Sequence, residues 1–541
     1  MHEAPILRRA WSYAVAPSGE LGGDSGSVLS LSTRMAVLVV GYLLVERWIF
    51  AVGTLAENSY ERSIVAVGVI ESFTRAKAVV PLLAIVALAI LRPMWLRWDD
   101  LEHGRWVRLF VFVPTAVLAW TYSTYDFNAY LAQSHALDRL LLCALAVLTW
   151  FRPIFVLPFT GLTIAMVGQF RFPFPAHSLT QPYLLIRLLI LFIAMFLLLV
   201  VSRRRNAVDY VFCAIAMLSA SYFVAGVGKA RLDWMSYGHL YHALPTTYTN
   251  GWLAFLEPGE LTRLTRAVST FDWPMRAVGF ALECGAVIFF WRRSVAIVLV
   301  SGWAVFHLGV FLISGICFWM WIALDVGLLL FLSRRELAGK FAFFNPARCV
   351  VASVLIAFGS WWFDSVNLAW YDARSSYTYV FEAVDANGEN HRLGPQFFAP
   401  FETPFTMGSF SYLVDEPVLP IVWGATFDRR VAEELLECRD AGEIFALERE
   451  RGYLRFNIER TEQLDQFVAT FIRNVEARKA KNGWWRVLRA PSQTWSLTPT
   501  SSFWREDVPV RRVIVRQLMS DWNGAAYAVI RDRVVHEIDL S

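Results

Sequence analysis

AIAMLSASYFVAGVGKARLDWMSYGHLYHAL, residues 214–244, joins an apolar run to a cluster of ionisable side chains. The apolar half belongs to a run of the length that a bilayer-spanning helix needs, about 20 residues. It ends at Lys229, and aromatic, charged and imidazole side chains follow as far as His242. We interpret the apolar half as a membrane-spanning helix and residues 229–242 as its exit into the interface. An ammonium close to membrane depth, followed by an indole and two imidazoles, makes this the first place to look for chemistry.

The composition of the whole chain favours a membrane protein. Of the 541 residues, 56% are hydrophobic and only 18% are charged, whereas soluble domains average about 25% charged residues. The net charge of +4 is modest and forms no blocks, so nothing indicates nucleic acid as a partner. The partner that the composition indicates is the lipid bilayer.

Apolar runs dominate as far as about residue 362, and mixed polar sequence follows. This contrast predicts an N-terminal segment over residues 1–34, a transmembrane domain over 35–363 and a further domain over 364–541. The predicted transmembrane domain is a polytopic α-helical bundle of about eleven spans. These are 35–53, 78–91, 108–123, 138–151, 154–169, 183–202, 208–229, 275–291, 294–313, 316–333 and 348–363.

Lysine and arginine in the short loops predict the orientation, because cytoplasmic loops carry an excess of them. One alternating set of loops is rich in them, with Arg8, Arg9, Arg34, Arg92, Arg97, Arg105, Arg152, Arg203, Arg204, Arg205, Arg292, Arg293, Arg334, Arg335 and Lys340. The other set is poor in them, since residues 122–136 contain neither lysine nor arginine. We therefore predict a multi-pass protein of the cytoplasmic membrane with its N-terminus inside. Lys229, the long 230–273 loop and the C-terminal domain would then lie outside, in the periplasm of a Gram-negative organism. Part of that loop is expected at the interface, over the outer mouth of the bundle.

The C-terminal sequence has the alternation of an extracytoplasmic α+β domain. The predicted strands are 377–384, 410–414, 510–518 and 525–535, and a turn is predicted at 386–389. The predicted helices are 429–450 and 461–479.

Ionisable residues at membrane depth are the candidates for function, because each costs at least about 2.5 kcal/mol to insert. They are Glu46, Arg47, Arg187, Lys229, Glu283, His307 and Asp325. Glu283 and Asp325 lie near the middles of their predicted spans. They would either pair with Arg187 or Arg47 as structural ion pairs or form a proton path.

Lys229 has two interpretations. In the plain one, a lysine at a helix end extends its ammonium to the lipid headgroups. In the functional one, it is buried, is neutral part of the time and acts as a base. Asp233, one helical turn further on, would instead pair with it and keep it charged.

The histidines carry weaker signals. His307 lies in the apolar stretch GWAVFHLGVFLISG and is either a hydrogen-bonded core residue or part of a site. His239 and His242 share a face if their segment is helical, but two imidazoles alone are a weak metal signal. His135 is interpreted as capping or solvating the start of a helix. The six cysteines form no CxxC pair, and no metal site is predicted.

The stretch SYFVAGVGKARLDWMSYG resembles the pattern Y-x-x-A-G-x-x-K, a short gap, D-W and G of the vitamin K-dependent γ-glutamyl carboxylases. Their bacterial relatives, the horizontally transferred transmembrane (HTTM) proteins, share this pattern. The matching positions are Tyr222, Ala225, Gly226, Lys229, Asp233, Trp234 and Gly238. Downstream, FHLGVFLISGICFWMWIALDVGLLLF resembles the Phe-His helix of that family and adds Phe306 and His307. The span layout is similar from about residue 30 to residue 363.

This resemblance implies an enzyme that carboxylates glutamyl side chains of a secreted protein or peptide, a carbon–carbon lyase type of carboxylase. A reduced quinone of the vitamin K type, O2 and CO2 would be its cofactor and co-substrates. Lys229 would be the base that deprotonates the quinol, and His307 would orient groups or stabilise charge. Tyr222, Gly226, Asp233, Trp234, Glu283 and Asp325 would line the pocket.

Two other classes stay open at this point. The chain departs from the carboxylases after its last span, where the segment YTYVFEAVDANGENHRLGPQFFAPFETPF resembles the variable tails of bacterial members. A non-catalytic membrane protein that binds lipid, quinone or a secreted peptide, and assists its maturation or export, is the main alternative. A transporter with Glu283 and Asp325 as its proton path is a third, although no inverted repeat supports it.

Overall fold

The structure is a computed structural model and describes residues 28–74, 81, 97–173, 180–202, 206–334, 343–365, 368–478, 488–498 and 508–540. The predicted span 78–91 and most of the predicted N-terminal segment 1–34 lie outside these ranges. The N-terminal two thirds of the described chain is helical, and strands occur only after residue 370.

The bundle consists of long apolar helices and several shorter ones. In chain order they are α1 (Val28–Gly53), α2 (Val65–Phe73), α3 (Gly104–Thr124), α4 (Ala136–Phe151), α5 (Val156–Gly168), α6 (Thr180–Ser202), α7 (Val208–Arg231), α8 (Trp234–Tyr237), α9 (Ala243–Thr249), α10 (Pro258–Thr270), α11 (Asp272–Cys284), α12 (Arg293–Ser314), α13 (Trp319–Ser333), α14 (Pro346–Ala357) and α15 (Gly359–Trp362). Local sequence explains several boundaries. For example, α14 begins where Asn345 accepts a hydrogen bond from the Arg348 amide and proline occupies the first helical position.

Six of the described helices are long and apolar enough to cross a membrane, fewer than the eleven spans that hydropathy predicted. They are α1, α3, α5 with its flanking turns (Pro153–Arg171), α6, α7 and α12. Four other predicted spans form α4, α11, α13 and α14, which have 12 to 16 residues. At 1.5 Å per residue they reach about 18–24 Å, less than the roughly 30 Å hydrocarbon core. The predicted count is therefore too high for the described part of the chain.

Burial separates the central helices from the peripheral ones. In α6 and α7, 78% of the most apolar window is buried, compared with 22% in α1 and 28% in α12. Exposed apolar side chains such as Leu44, Val305 and Leu312 cover the peripheral helices, the surface that a lipid environment requires. The α7 helix thus lies at the centre of the bundle.

The C-terminal part is an α+β unit built on an antiparallel sheet. Its strands are β1 (Tyr371–Asp372), β2 (Ser375–Asp385), β3 (Asn390–Leu393), β4 (Ala425–Thr426), β5 (Val510–Trp522) and β6 (Tyr527–Asp539). The main sheet has the order β3-β2-β5-β6, and β1 pairs with β4. Its helices are α16 (Glu402–Met407), α17 (Arg429–Glu437), α18 (Ala441–Arg451) and α19 (Ile458–Arg478). Phenylalanine rings of β2, α16 and α19, among them Phe381, Phe405 and Phe467, form the core of the unit.

Most predicted elements of this unit are present, but two predictions were wrong. Residues 410–414 form a short 3-10 helix (Ser411–Leu413) instead of a strand, because Phe410 packs against Phe381 and Phe405. The single helix predicted over 429–450 is two helices. Asp428 caps the first and Asp440 the second, and the backbone at Cys438 between them is extended.

The C-terminal unit packs against one end of the bundle. Asn474 donates to the Ala129 carbonyl (2.8 Å), and the Cys317 amide donates to the Gln493 carbonyl (2.7 Å). The 230–273 segment forms helices α8 to α10 between the two parts, where Thr378 of β2 donates to Asn250 (2.9 Å). The loops predicted to share a side with the C-terminal domain therefore do lie beside it.

Candidate functional site

One face of α7 carries three of the predicted site residues. Tyr222, Gly226 and Lys229 are four and three positions apart, so they follow one another along a single helix face. Seven residues of helix separate the two ends of this row by about 10 Å. Because α7 is central, the row faces neighbouring helices instead of lipid.

Lys229 is buried and forms an ion pair with Glu283 of α11. Its Nζ lies 2.6 Å from Glu283 Oε1, and the two residues are 8% and 3% exposed. The ammonium also lies 5.0 Å from the centre of the Trp234 ring and 5.5 Å from that of Phe306. The ammonium therefore does not extend to lipid headgroups, and aromatic walls surround the pair.

Gly226 is what lets the two helices approach closely enough for this pair. A Cβ at this position would lie 2.9 Å from Cys284 Sγ and 3.0 Å from Glu283 Cβ. The first distance is shorter than normal Cβ contacts and the second is tighter than most of them, so a larger residue would separate α7 from α11. The glycine in the sequence pattern thus has a packing explanation.

A second buried cluster lies at the other end of the row. Tyr222 donates its hydroxyl to Asp325 Oδ2 of α13 at 2.7 Å, and His307 Nδ1 of α12 lies 3.4 Å from the same hydroxyl and 3.5 Å from Asp325 Oδ2. The Tyr222 ring stacks on Trp303 with the ring centres 4.0 Å apart. Three helices thus bring a phenol, an imidazole and a carboxylate together at the bundle centre.

The two clusters are electrostatically connected. Glu283 is close enough to both Tyr222 and His307 for Coulombic interaction. Each carboxylate also keeps one oxygen without a hydrogen-bond partner among the described residues, Glu283 Oε2 and Asp325 Oδ1. Buried carboxylate oxygens normally have partners. Asp272 Oδ1 and Glu402 Oε2 share this property, but Glu283 and Asp325 are the two such carboxylates that bond to α7 at the bundle centre.

The sequence-based pairing of the charged residues was wrong in three respects. Neither Glu283 nor Asp325 pairs with Arg187 or Arg47. Arg187 instead bonds Glu46 Oε1 at 2.9 Å and Asp364 Oδ2 at 3.1 Å. Asp233 does not pair with Lys229, because it is exposed, adopts a left-handed backbone (φ 51°) and accepts a hydrogen bond from Ser236.

Trp234 is buried, as a pocket residue should be. Its indole ring faces Lys229, while its carbonyl accepts a hydrogen bond from Arg276 (3.1 Å). Arg276 in turn pairs with Asp272 at 2.8 Å, and both are buried. This pair was not predicted, although an aspartate and an arginine four residues apart on a helix are a signal that the sequence contains.

The other histidines have clear surroundings. His135 is buried, with Nε2 3.0 Å from the Tyr60 carbonyl and Nδ1 3.3 Å from the Tyr125 hydroxyl. His135 does occupy the N-cap position of α4, as one interpretation had it, but its side chain makes no capping hydrogen bond and is not solvated. His239 and His242 lie side by side, with ring centres 5.1 Å apart and an angle of 54° between the rings. Burial, with a smaller contribution from His239, lowers the pKa of His242 to about 3.

Asp372 of β1 joins this histidine pair to the C-terminal unit. Its Oδ2 accepts a hydrogen bond from the His239 amide at 3.0 Å. Burial raises the pKa of this carboxyl to about 6. The sequence gave no sign of this contact, because the two residues are 133 positions apart.

Among the described residues, one group of side chains has the spacing of metal ligands, Asp385, Glu389 and His391 at the β2–β3 turn. Their ligand atoms lie within 4.8 Å of one another. Asp385 already accepts hydrogen bonds from His391 and from the amides of Asn387 and Glu389. These bonds explain the cluster as a turn.

The larger of the two cavities described in the structure is not beside Lys229. It is an apolar cleft of about 290 Å³ between α3, α6, α7 and α13. Its walls include Leu218 and Leu324, the first one turn before Tyr222 and the second adjacent to Asp325. Neither described cavity is lined by Lys229.

No protein-family model, no curated protein and no solved structure matches this chain.

Proposed function

We propose that this multi-pass membrane protein is an enzyme in which the buried Lys229–Glu283 pair moves a proton during quinol- and O2-dependent carboxylation of glutamyl side chains. The observation that carries the proposal is the pair of unpartnered carboxylate oxygens, Glu283 Oε2 and Asp325 Oδ1, within one buried cluster. Both carboxylates bond to residues of α7 at the bundle centre, where buried acceptors normally have partners. Free acceptors of this kind are expected where a substrate supplies the donors.

The free hydrogen-bond acceptors of the cluster fit a reduced quinone. Such a molecule has hydroxyl donors on a flat apolar ring, and the cluster offers two free acceptors between aromatic side chains. Phe306 and Trp234 lie beside Lys229, and Trp303 lies beside Tyr222. Together with O2, a bound quinol would supply the strong base that removal of a γ proton from glutamate needs.

Lys229 and Glu283 act as one unit in this proposal. A buried ammonium and carboxylate at 2.6 Å stabilise each other's charge. The carboxylate oxygen that faces away from Lys229 is the atom able to accept a proton from a hydroxyl group. Lys229 remains positive and stabilises the negative charge that results. Glu283 thus takes the role of base that the resemblance assigned to Lys229, and Lys229 stabilises charge instead.

Tyr222, His307 and Asp325 position the second acceptor. Because Tyr222 donates to Asp325 Oδ2 and stacks on Trp303, the carboxylate is held with Oδ1 free. His307 lies close to both Tyr222 and Asp325, orients the Asp325 carboxylate and moderates its charge. The surrounding buried aromatic rings exclude water, which protects a carbanion from protonation before CO2 adds.

The test is incorporation of labelled bicarbonate into glutamate-containing peptides by the purified protein with a reduced quinone. Wild type is expected to incorporate label, and Lys229→Ala and Glu283→Gln to lose at least about 100-fold, the usual contribution of a positioned acid or base. Arg62→Gln, which removes an exposed ion pair with Glu71, is the control and should retain full activity. Label that persists in Lys229→Ala, or that is absent from wild type with every quinone, overturns the proposal.

The salt bridge itself favours one second candidate, a non-catalytic protein that binds lipid, quinone or a secreted peptide and assists its maturation or export. The positive charge of a lysine 2.6 Å from a carboxylate is already balanced, so the pair needs no substrate to stabilise it. Mass spectrometry of co-purified small molecules separates the two functions. A bound quinone argues against a role confined to peptide maturation, whereas a bound peptide with no labelling activity supports it.

The orientation belongs to the same proposal, with the arginine-rich end of the bundle in the cytoplasm and the C-terminal unit in the periplasm or outside the cell. Arg34, Arg293 and Arg334 lie at the end away from that unit. Arg34 pairs with Asp209 at the start of α7, and Arg293 bonds the Leu332 carbonyl at the end of α13. Arginine concentrated at one end of a bundle is the usual mark of its cytoplasmic side.

A further inference from the structure

The apolar cleft is separate from the Lys229 site and opens towards the surface of the bundle. Its volume of about 290 Å³ is at the lower limit for small-molecule sites, which are about 300–1,000 Å³. One wall runs along α7 from Tyr210 to Leu218, and eight residues of helix correspond to about 12 Å. The opposite wall is α13, where Leu330 is 64% exposed. The cleft is therefore a slot between α7 and α13, lined at one end by Tyr210 and Arg334 and at the other by Leu218 and Leu324.

The mouth of the cleft carries a positive charge. Arg334, at the end of α13, is the one charged residue among the described residues that line it. Its guanidinium lies 5.8 Å from the centre of the Trp106 ring, which lines the facing wall. None of the ion pairs formed by the described residues involves Arg334, and the residue is exposed.

We propose that this cleft binds one anionic phospholipid, with an acyl chain in the slot and the phosphate against Arg334. The slot suits an acyl chain, because apolar residues line it, it extends about 12 Å along α7, and Leu330 on its wall is exposed. Charge complementarity fits the headgroup, because an arginine at a membrane surface attracts anionic lipid. The location fits as well, since the mouth is at the arginine-rich end of the bundle. This inference does not depend on the chemistry of the Lys229 site.

Gly327 provides a variant that fills the slot. It lines the cleft, and a Cβ there would have only Val113 Cγ1 within reach, at 4.0 Å. Gly327→Leu therefore occupies the space of the chain without displacing the backbone. Gly309→Leu on α12 is the matched control, because a Cβ there meets nothing within 4 Å and the residue does not line the cleft.

Arg334→Gln tests the headgroup. Its matched control is Arg292→Gln, an exposed arginine at the same end of the bundle that lies 5.9 Å from the Trp291 ring. Removing a charge-assisted contact is expected to lower the preference for the anionic lipid about tenfold. The control should keep the wild-type preference.

The measurement is native mass spectrometry of the full-length protein from micelles that contain equal amounts of phosphatidylcholine and phosphatidylglycerol. Wild type and both controls should retain one phosphatidylglycerol, Gly327→Leu should retain none, and Arg334→Gln should lose the preference for the anionic lipid. Retention of phosphatidylglycerol by Gly327→Leu, or an unchanged preference in Arg334→Gln, overturns the proposal. A neutral lipid or a quinone in the wild-type protein also overturns it. If Gly327→Leu does not fold, the Arg334→Gln comparison decides by itself.

Discussion

At the scale of single residues, the main feature of the molecule is a pair of charged side chains that is buried away from water. Lys229 and Glu283 lie 54 positions apart in the chain and form a pair that is almost fully buried. The desolvation of two such ions is costly, and only their mutual contact makes it tolerable. The stability of each buried charge therefore depends on its partner more than the stability of a surface charge does.

Removal of one member of this pair should destabilise the protein strongly. Lys229→Met or Glu283→Gln is expected to lower the free energy of unfolding by about 3–5 kcal/mol, because the remaining polar group stays buried without a partner. The double variant should lose less than the sum of the two. Denaturation in detergent micelles measures all three.

The exposed pair of Arg62 and Glu71 is the control, with side chains 50% and 56% exposed. Its loss should cost less than about 1 kcal/mol. Additive effects in the Lys229 and Glu283 variants would contradict the prediction, since they would show that the two side chains do not stabilise each other.

Asp372 should make stability depend on pH. Its pKa of about 6 in the folded protein is above the usual 3.8, so the folded state carries a penalty for the charged form. That penalty is full above about pH 7, where it reaches about 3 kcal/mol. It is lost as the pH falls through 6 towards 4.

Asp372→Asn keeps an acceptor for the His239 amide and has no charge. We therefore expect it to be more stable than wild type at pH 8 and nearly equal to wild type at pH 4, by thermal unfolding at both pH values. Asp415→Asn, at an exposed carboxyl, controls for the general loss of one negative charge. A stability difference that is the same at both pH values would disprove the assignment.

At the scale of elements, the contact between α7 and α11 sets the geometry of the site. Gly226 allows the backbones to approach, and Trp303 donates from α12 to the Leu282 carbonyl of α11 at 3.0 Å. The three helices thus hold Lys229, Glu283 and His307 in place by packing around one small residue. Small residues have this role in membrane bundles because close approach lets helices pack tightly.

Gly226→Ala is therefore expected to separate α7 from α11 and to weaken the ion pair. Overpacking of this kind costs about 1–3 kcal/mol, and in the labelling assay the variant should lose activity while it still inserts into the membrane. Gly309→Ala is the matched control, since a Cβ there has open space. If Gly226→Ala kept wild-type stability and activity, α7 and α11 would have space for the added methyl group and the prediction would be wrong.

At the scale of the whole molecule, the two ends of the bundle differ in charge and in what they contact. The C-terminal unit covers the arginine-poor end, through contacts such as the ion pair of Arg489 with Asp126 and the bond from His239 to Asp372. The other end displays arginines. A membrane-spanning protein with this asymmetry has a defined direction of insertion.

Labelling of cysteines in intact cells checks that direction. In a Cys143→Ser background, which removes the exposed native cysteine, Asn387→Cys in the exposed β2–β3 turn should react with a membrane-impermeant maleimide. Arg292→Cys at the opposite end should react only after the membrane is permeabilised. The reverse pattern would invert the proposed orientation.

Much of the fold was predictable from the sequence because hydropathy and periodicity are local properties. The predicted spans 108–123 and 208–229 match α3 and α7 within a few residues, and the predicted strand 377–384 lies within β2. The count of spans was less predictable, since the same apolar composition occurs in helices too short to cross a bilayer. Residues 410–414 were also mispredicted from local sequence. They have a strand-like pattern, but they form a 3-10 helix where Phe410 packs against Phe381 and Phe405.

The sequence by itself determined which ionisable residues stand in apolar runs, including Lys229, Glu283, His307 and Asp325, because a charge in an apolar run is visible without a structure. Only the tertiary structure decided their partners. The sequence indicated Arg187 or Arg47 as the partner of Glu283, whereas the structure pairs Glu283 with Lys229, because Gly226 allows α7 and α11 to meet. Pairing energies fall steeply with distance in a medium of low dielectric constant, so ångström-scale packing selects the partner.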